Sequence, residues 1–407
     1  MDGLTIARQR IASEAKEETG FLDLSLLGLG ELPEELFALK HLHALNLDSV
    51  FSDEEGQREG SASSAGPNAV EAQIERLAAL TELQSLSLSG TGLVDLTPLR
   101  EFPALQSLDC KLNPVSDLTP FKGMAKLQSL SCAATGVSDL SPLEDLSALQ
   151  FLACSDTEVS DLTPLKRLAA LQSLFCSHTP VNDLTPLKGL AKLQLLYCKL
   201  SNVHDLSPLK GLAVLHTLHC SHTLMSDLIP LKDLPALQSF DCSHTLVSDL
   251  SSLKDLPALL SLDCSQTQVS DLNSLNGLSA LQSLDCSQTP VGDLTPLEGL
   301  SALQSLDCSR TPVSDLTPLK DLLALQSLNC SRTPVRDITP LKDLPALQSL
   351  DCSGCRLTAP PESFWLKPSL LKLTLHDTQI SGIPPWVLSQ SDTDDCLDSL
   401  RTHVHDL

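Results

Sequence analysis

Residues 105–126 read LQSLDCKLNPVSDLTPFKGMAK, and the same 22-residue frame begins again at Leu127. Within this frame Leu105, Leu108 and Cys110 follow one another at the spacing L-x-x-L-x-C. Twelve cysteines keep the frame without a slip, from Cys110 to Cys352. A fixed period of this length indicates a chain built from stacked copies of one small structural unit.

The apolar positions indicate which unit is repeated. Leucines on the grid L-x-x-L-x-L-x-x-N-x-L are typical of leucine-rich repeats. Degraded copies on both sides of the regular run bring the total to about 16 repeats. We therefore predict an α/β solenoid, or horseshoe, with a parallel β-sheet on its concave face and short helical or 3-10 turns on its convex face.

The ends of the chain and one break in the period suggest its organisation. Residues 1–20 predict a helical cap, residues 21–390 the repeats, and residues 391–407 a C-terminal helix leading out towards a further domain. The spacing breaks where residues 48–70 read DSVFSDEEGQREGSASSAGPNAV, which is rich in Ser, Gly and charge. We interpret about residues 51–70 as a mobile insertion.

Charge and hydropathy exclude some classes of partner. The chain carries 51 acidic and 27 basic side chains, for a net charge of −24. Nucleic acids and anionic lipids bind clustered Lys and Arg, so neither is predicted as a partner. We find no apolar run of the roughly 20 residues that a membrane span needs, and no signal-peptide core at the start. These features predict a cytoplasmic location.

The cysteines are predicted to be structural. Side chains alternate along a strand, so Leu108 and Cys110 should point into the core while Ser107 and Asp109 face outwards. A metal-binding thiol ladder is the alternative, but burial without charged partners favours plain packing. No metal or cofactor is therefore predicted.

A column of aspartates recurs at the same interval, from Asp95 to Asp337. A line of carboxylates is compatible with calcium, although a calcium site needs several oxygen ligands at close spacing. We favour a role in capping backbone N–H groups of the turns, with the Thr-Pro pair two residues later supplying an N-cap.

The outward strand positions vary more than the core and are where a partner is expected to bind. Phe151, Phe175 and Tyr197 come from adjacent strands and predict an exposed hot spot, unless the rings merely cover one another. Four histidines are expected to cluster with Asp241, and we favour a polar surface over a metal site.

Further along, an acidic ladder is flanked by two arginines. Like charges about 4.8 Å apart repel, which predicts that a basic surface of a partner neutralises them. The predicted partner-binding residues are Phe151, Phe175, Tyr197, His178, His219, His222, Asp241, His244, Asp263, Asp285, Asp307, Arg310 and Arg332, and Asp351 extends the ladder.

Both ends of the chain resemble the repeat region of bacterial Roco proteins, which join leucine-rich repeats to a Roc GTPase and a COR dimerisation domain. Residues 7–39, ARQRIASEAKEETGFLDLSLLGLGELPEELFAL, look like that family's cap and first repeat. Residues 396–407, CLDSLRTHVHDL, look like its link to the Roc domain. The resemblance implies a regulatory scaffold that contacts its own Roc and COR domains or other proteins.

No constellation of residues in the sequence predicts catalysis. We find neither a nucleophile beside a base nor a G-x-x-x-x-G-K-[ST] phosphate loop. We therefore predict a protein-binding module without enzymatic activity, in which any GTPase activity would belong to a downstream domain. The alternative is a free-standing recognition protein, such as an internalin-like adhesin or effector.

Overall fold

The computed structural model describes residues 2–50, 66–358, 364, 366–378, 380, 383–391 and 394–405. The chain divides into two compact units, Met1–Leu215 and His216–Leu407. Most of the predicted insertion, residues 51–65, lies outside the described residues. Its last residues are held by the repeats, because the buried Asn68 side chain donates to the carbonyls of Leu24 and Leu47 at 3.0 and 2.9 Å.

Each unit contains short parallel strands in sequential order. The first unit contains β1 (Phe21–Asp23), β2 (Ala44–Asn46), β3 (Ser85–Ser87), β4 (Ser107–Asp109), β5 (Ser129–Ser131), β6 (Phe151–Ala153), β7 (Ser173–Phe175) and β8 (Leu195–Tyr197). The second contains β9 (Thr217–His219), β10 (Ser239–Asp241), β11 (Ser261–Asp263), β12 (Ser283–Asp285), β13 (Ser305–Asp307), β14 (Ser327–Asn329), β15 (Ser349–Asp351) and β16 (Lys372–Thr374). Neighbours pair in register, so that Leu262 lies beside Leu284. This confirms the predicted leucine-rich-repeat fold of about 16 repeats.

Short turns return the chain from one strand to the next. The α-helices are α1 (Gly3–Glu17), α2 (Ile74–Leu77) and α3 (Leu397–His405). The 3-10 turns of the first unit are Glu34–Ala38, Glu71–Gln73, Thr97–Glu101, Thr119–Phe121, Ser141–Leu143, Thr163–Arg167, Thr185–Leu187 and Ser207–Leu209. Those of the second are Ile229–Asp233, Ser251–Leu253, Asn273–Leu275, Thr295–Leu297, Thr317–Leu319, Thr339–Leu341 and Pro385–Val387.

The outer Asp row, Asp95 and its equivalents every 22 residues to Asp337, begins these turns. Each Oδ1 accepts a hydrogen bond from the backbone N–H two residues later, at 2.6–2.8 Å. The predicted capping role is confirmed. The prediction that the Thr supplies the N-cap is wrong, because Thr295 and Thr339 are the first residues of their turns and follow Leu294 and Ile338, which make no side-chain cap.

The cysteines of the 22-residue series form a buried row behind the strands, each fully shielded from solvent. Burial raises the pKa of Cys154 and Cys198 to about 12, so both remain neutral thiols. A threonine follows most of these cysteines by three residues and donates its hydroxyl to the cysteine carbonyl; for Thr267 and Cys264 the distance is 2.6 Å. The row therefore behaves as small apolar packing, as predicted.

Both ends of the repeats are covered. At the first strand, Arg10 of α1 donates to the carbonyl of Asp23 at 2.7 Å, and the buried Glu14 accepts from the Gly20 N–H at 2.8 Å. At the last strand, Asp395 accepts from the Leu373 N–H at 3.0 Å. Arg401 of α3 donates to the carbonyls of Lys367 and Leu370 at 2.9 and 3.0 Å. The helix predicted to lead out of the repeats instead packs against the last one.

The threonine hydroxyls should contribute measurably to stability. We expect Thr267→Val to lower the free energy of unfolding by about 1–2 kcal/mol, because it removes a buried hydrogen bond without changing the size of the side chain. Thr267→Ser is the matched control, since Ser201 makes the same bond to the Cys198 carbonyl at 2.5 Å. Urea unfolding measures both variants; a valine variant as stable as the wild type would contradict the assignment.

Candidate protein-binding site

The outward side chains of the strands form the surface on which the predicted site lies. In β10 to β13 the middle residue of each strand is buried and the residues on either side of it are partly exposed. Because side chains alternate, the first and third residues of a strand and the residue after the cysteine share one side. We call this surface the strand face.

Four predicted residues form a continuous line on the strand face of the second unit. Asp241, Asp263, Asp285 and Asp307 are neighbours in the strand register, and we call them the inner Asp row. Each Oδ1 accepts a hydrogen bond from the N–H of the serine two residues later, at 2.8–2.9 Å. The ladder therefore also closes the ends of its strands, a structural role that the sequence analysis did not anticipate.

The inner Asp row is electrostatically uncompensated. Burial raises the pKa of Asp263, and it raises the pKa of Asp285 to about 6, with neighbouring aspartates adding to both shifts. Within the described part of the chain, no Lys or Arg forms an ion pair with these four carboxylates. In the first unit, by contrast, the equivalent Asp109 pairs with the Lys111 ammonium at 3.1 Å.

Asn329 interrupts the row before Asp351. Its side-chain amide donates to Oδ2 of Asp307 at 2.7 Å, and its oxygen accepts from the Ser331 N–H at 3.1 Å. A neutral amide thus closes its strand in the manner of the aspartates. Asp351 lies beyond it in register and accepts from the Ser353 N–H at 2.8 Å.

The two predicted arginines lie beside the row in an unusual backbone conformation. Arg310 and Arg332 both have φ of 56° and are exposed. Their N–H groups donate to the carbonyls of Ser331 and Ser353 at 2.9 and 2.6 Å, which holds the left-handed geometry. The sequence gave no signal for this conformation, because these positions carry Arg, Gln, His or Leu instead of Gly.

The four histidines do not form one cluster. His178 belongs to the first unit, where its Nδ1 lies 3.6 Å from Asp156. In the second unit the rings of His222 and His244 stack at 3.7 Å, while Nε2 of His219 lies 3.1 Å from the Ser239 hydroxyl. No group of three or more His, Cys, Asp or Glu side chains suited to a metal occurs among the described residues.

The three aromatic residues do lie together, on β6, β7 and β8 of the first unit. The Phe175 ring is 5.4 Å from that of Phe151 and is stacked 4.7 Å from that of Tyr197. Phe175 is only 4% exposed, so the expectation that all three rings are exposed is wrong for this residue. Its neighbours cover it, which is the alternative that the sequence left open.

Sequence reasoning missed the serine row, Ser243, Ser265, Ser287 and Ser309. These residues follow the cysteines directly and lie on the strand face beside the inner Asp row. Their 22-residue spacing is visible in the sequence. The spacing alone does not distinguish a functional hydroxyl from a small filler, because that depends on whether the hydroxyl already has a partner.

Several solved structures share this fold. A leucine-rich-repeat protein of Leptospira interrogans matches with a TM-score of 0.78 and 21% identity, over 91% of this chain and 94% of its own. An internalin of Listeria monocytogenes gives 0.68 and 23%, over 76% and 89%. The functional domain of InlJ from Listeria monocytogenes, described as including a cysteine ladder, gives 0.62 and 21%, over 84% and 69%. At these identities the similarity establishes the leucine-rich-repeat fold and nothing finer.

No family model matches the chain, and no curated protein matches it. The described residues include no helix that is long and apolar enough to span a membrane. The strand face is therefore interpreted from its own geometry.

The raised pKa of Asp285 predicts how stability depends on pH. Because the folded pKa of about 6 lies above the ordinary value of 3.8, the ionised carboxylate destabilises the fold at neutral pH, and this cost disappears as pH falls from about 6 to 4. Asp285→Asn should therefore raise the free energy of unfolding by about 1–2 kcal/mol at pH 7.5 and by much less near pH 4.

Urea unfolding at the two pH values measures the effect. Asp293→Asn is the matched control, because hydrogen bonding to Thr295 lowers the pKa of Asp293 and its contribution is lost only as pH falls below the ordinary range. No gain is expected from this control at either pH. An Asp285→Asn variant that is no more stable than the wild type at pH 7.5 would refute the electrostatic account.

The burial of Phe175 predicts a packing role. We expect Phe175→Ala to lower the free energy of unfolding by about 3–4 kcal/mol, in the range found for buried phenylalanines. Tyr197→Ala removes a ring that is more exposed and should cost less. Thermal unfolding of the two variants compares them, and equal losses would show that Phe175 is not the buried centre of the group.

Proposed function

We propose that the chain is a protein-recognition module whose second unit binds a basic surface of a partner through the inner Asp row. The observation that carries this proposal is the difference between Asn329 and the four aspartates. Asn329 closes its strand with a neutral side chain, so closing a strand does not require a charge. Stacking four carboxylates in adjacent register lowers stability, and a partner's cations would remove that cost.

The charge balance supports the same partner chemistry. With a net charge of −24, the chain attracts basic surfaces at long range and repels acidic ones. Desolvated carboxylates such as Asp263 and Asp285 interact more strongly with an incoming cation than fully hydrated carboxylates do. The proposal assigns binding to these residues and gives the chain no catalytic step.

We infer further that the natural partner is the Roc and COR region of a bacterial Roco protein, so that the repeats act as its regulatory scaffold in signal transduction. The support is the resemblance of residues 7–39 and 396–407 to that family. A cytoplasmic location forms part of this proposal and is consistent with fourteen free, buried cysteines, which a reducing compartment maintains.

A charge-matched pair of variants tests the function. Asp263→Asn with Asp285→Asn removes two charges from the inner Asp row, and Asp271→Asn with Asp293→Asn removes two from the outer row. We expect the first pair to weaken binding of a Roc and COR fragment on the order of tenfold at low salt, and the second pair to have little effect. Isothermal titration calorimetry at two salt concentrations measures the affinities.

The outcomes separate the two levels of the proposal. Equal affinities for the two pairs would refute recognition through the inner Asp row. If the wild-type chain captures a basic protein through these residues but does not bind Roc and COR, recognition stands and the Roco assignment is wrong.

A further inference from the structure

Beside the inner Asp row, the serine row offers hydroxyls that the protein itself does not use. Ser265, Ser287 and Ser309 are 7, 7 and 8% exposed, so each side chain is almost wholly enclosed. Their backbone N–H groups donate to the preceding aspartates. Their hydroxyls form no hydrogen bond with any described residue. Enclosed polar groups ordinarily have a partner, so these hydroxyls indicate a ligand that approaches the strand face.

The carboxylates have unused capacity on the same side. Asp263 and Asp285 each use Oδ1 to accept a backbone N–H, and within the described residues their Oδ2 atoms accept no hydrogen bond. Each repeat therefore presents one carboxylate oxygen and one neighbouring hydroxyl. The guanidinium of Arg has five donors and the ammonium of Lys has three, so either cation can bond both acceptors at once.

The spacing of the row selects the shape of the ligand. Adjacent strands lie about 4.8 Å apart, so four carboxylates in successive strands span about 14 Å. On an α-helix, residues at i, i+3, i+7 and i+10 lie on one side and span about 15 Å, at about 1.5 Å per residue. In an extended strand, side chains on one side recur only every 6.6–6.8 Å or so, and four of them span about 20 Å. Only the helix supplies one cation per carboxylate.

We propose that the inner Asp row and the serine row together bind a single α-helix of the partner protein, laid across β10 to β13, whose Lys and Arg side chains form a stripe at i, i+3, i+7 and i+10. This inference rests on the proposed function, because it specifies the basic surface that the inner Asp row recognises. Asn329 marks one end of the site, since the line of charge stops there.

Three synthetic peptides of equal length and net charge test the helix. In the first, stapled to hold a helix, four lysines occupy the stripe; in the second, also stapled, the four lysines are distributed around the helix; in the third, proline keeps the same residues extended. Fluorescence anisotropy measures their affinity for the whole 407-residue chain at low salt. We expect the stripe peptide to bind at least about tenfold more tightly than the other two.

Variants of the chain connect that difference to the two rows. Asp263→Asn with Asp285→Asn should abolish the preference for the stripe peptide, whereas Asp271→Asn with Asp293→Asn should preserve it. Ser265→Ala with Ser287→Ala should weaken the stripe peptide about threefold to tenfold, the usual range for one or two hydrogen bonds. Its urea midpoint should not fall, because these hydroxyls have no partner within the described protein.

Each result has a definite meaning. If the three peptides bind equally and all depend on the inner Asp row, the helix is refuted while recognition of a basic surface stands. Tighter binding of the extended peptide assigns the site to a strand and refutes the helix. If no peptide binds although Roc and COR still bind through the inner Asp row, the helix is again refuted and the proposed function survives.

Discussion

The in-register stacking of parallel strands is the constraint on which the whole molecule depends. Each residue of a repeat lies beside the same residue of the next, about 4.8 Å away. A group chosen once is thereby repeated along a row. A thiol is small enough to pack behind the strand in every repeat, and a threonine hydroxyl can satisfy the cysteine carbonyl of its own turn, as Thr267 does for Cys264. Neither group carries a charge, so both can be repeated at little cost.

Aspartate is the residue for which this repetition has two opposite consequences. The outer and inner Asp rows have the same spacing and accept the same kind of backbone hydrogen bond. In the outer row the side chains are exposed, and hydrogen bonding lowers the pKa of Asp293. In the inner row burial outweighs a similar hydrogen bond and raises the pKa of Asp285. Desolvation, more than hydrogen bonding, therefore separates a structural carboxylate from one suited to recognition.

The sequence was sufficient for the fold and for membership of each row, because a period of 22 residues assigns every position to core, turn or outward face. It was not sufficient for exposure, which depends on the size of neighbours in adjacent repeats. Phe175 is covered because Phe151 and Tyr197 flank it. His222 and His244 stack because they hold equivalent positions in successive repeats, whereas His178 pairs with Asp156. Such pairings follow from side-chain conformations that the period does not specify.

The same outward position is satisfied within the protein in the first unit and left open in the second. In the first unit Asp109 has the Lys111 ammonium, and Phe175 lies between two other rings. In the second unit four carboxylates succeed one another without a cation among the described residues, beside hydroxyls that likewise have no partner there. A protein surface that satisfies its own groups has little left to offer a ligand. The second unit, whose strand face keeps both its charge and its hydrogen-bonding capacity available, is therefore where specific recognition is physically favoured.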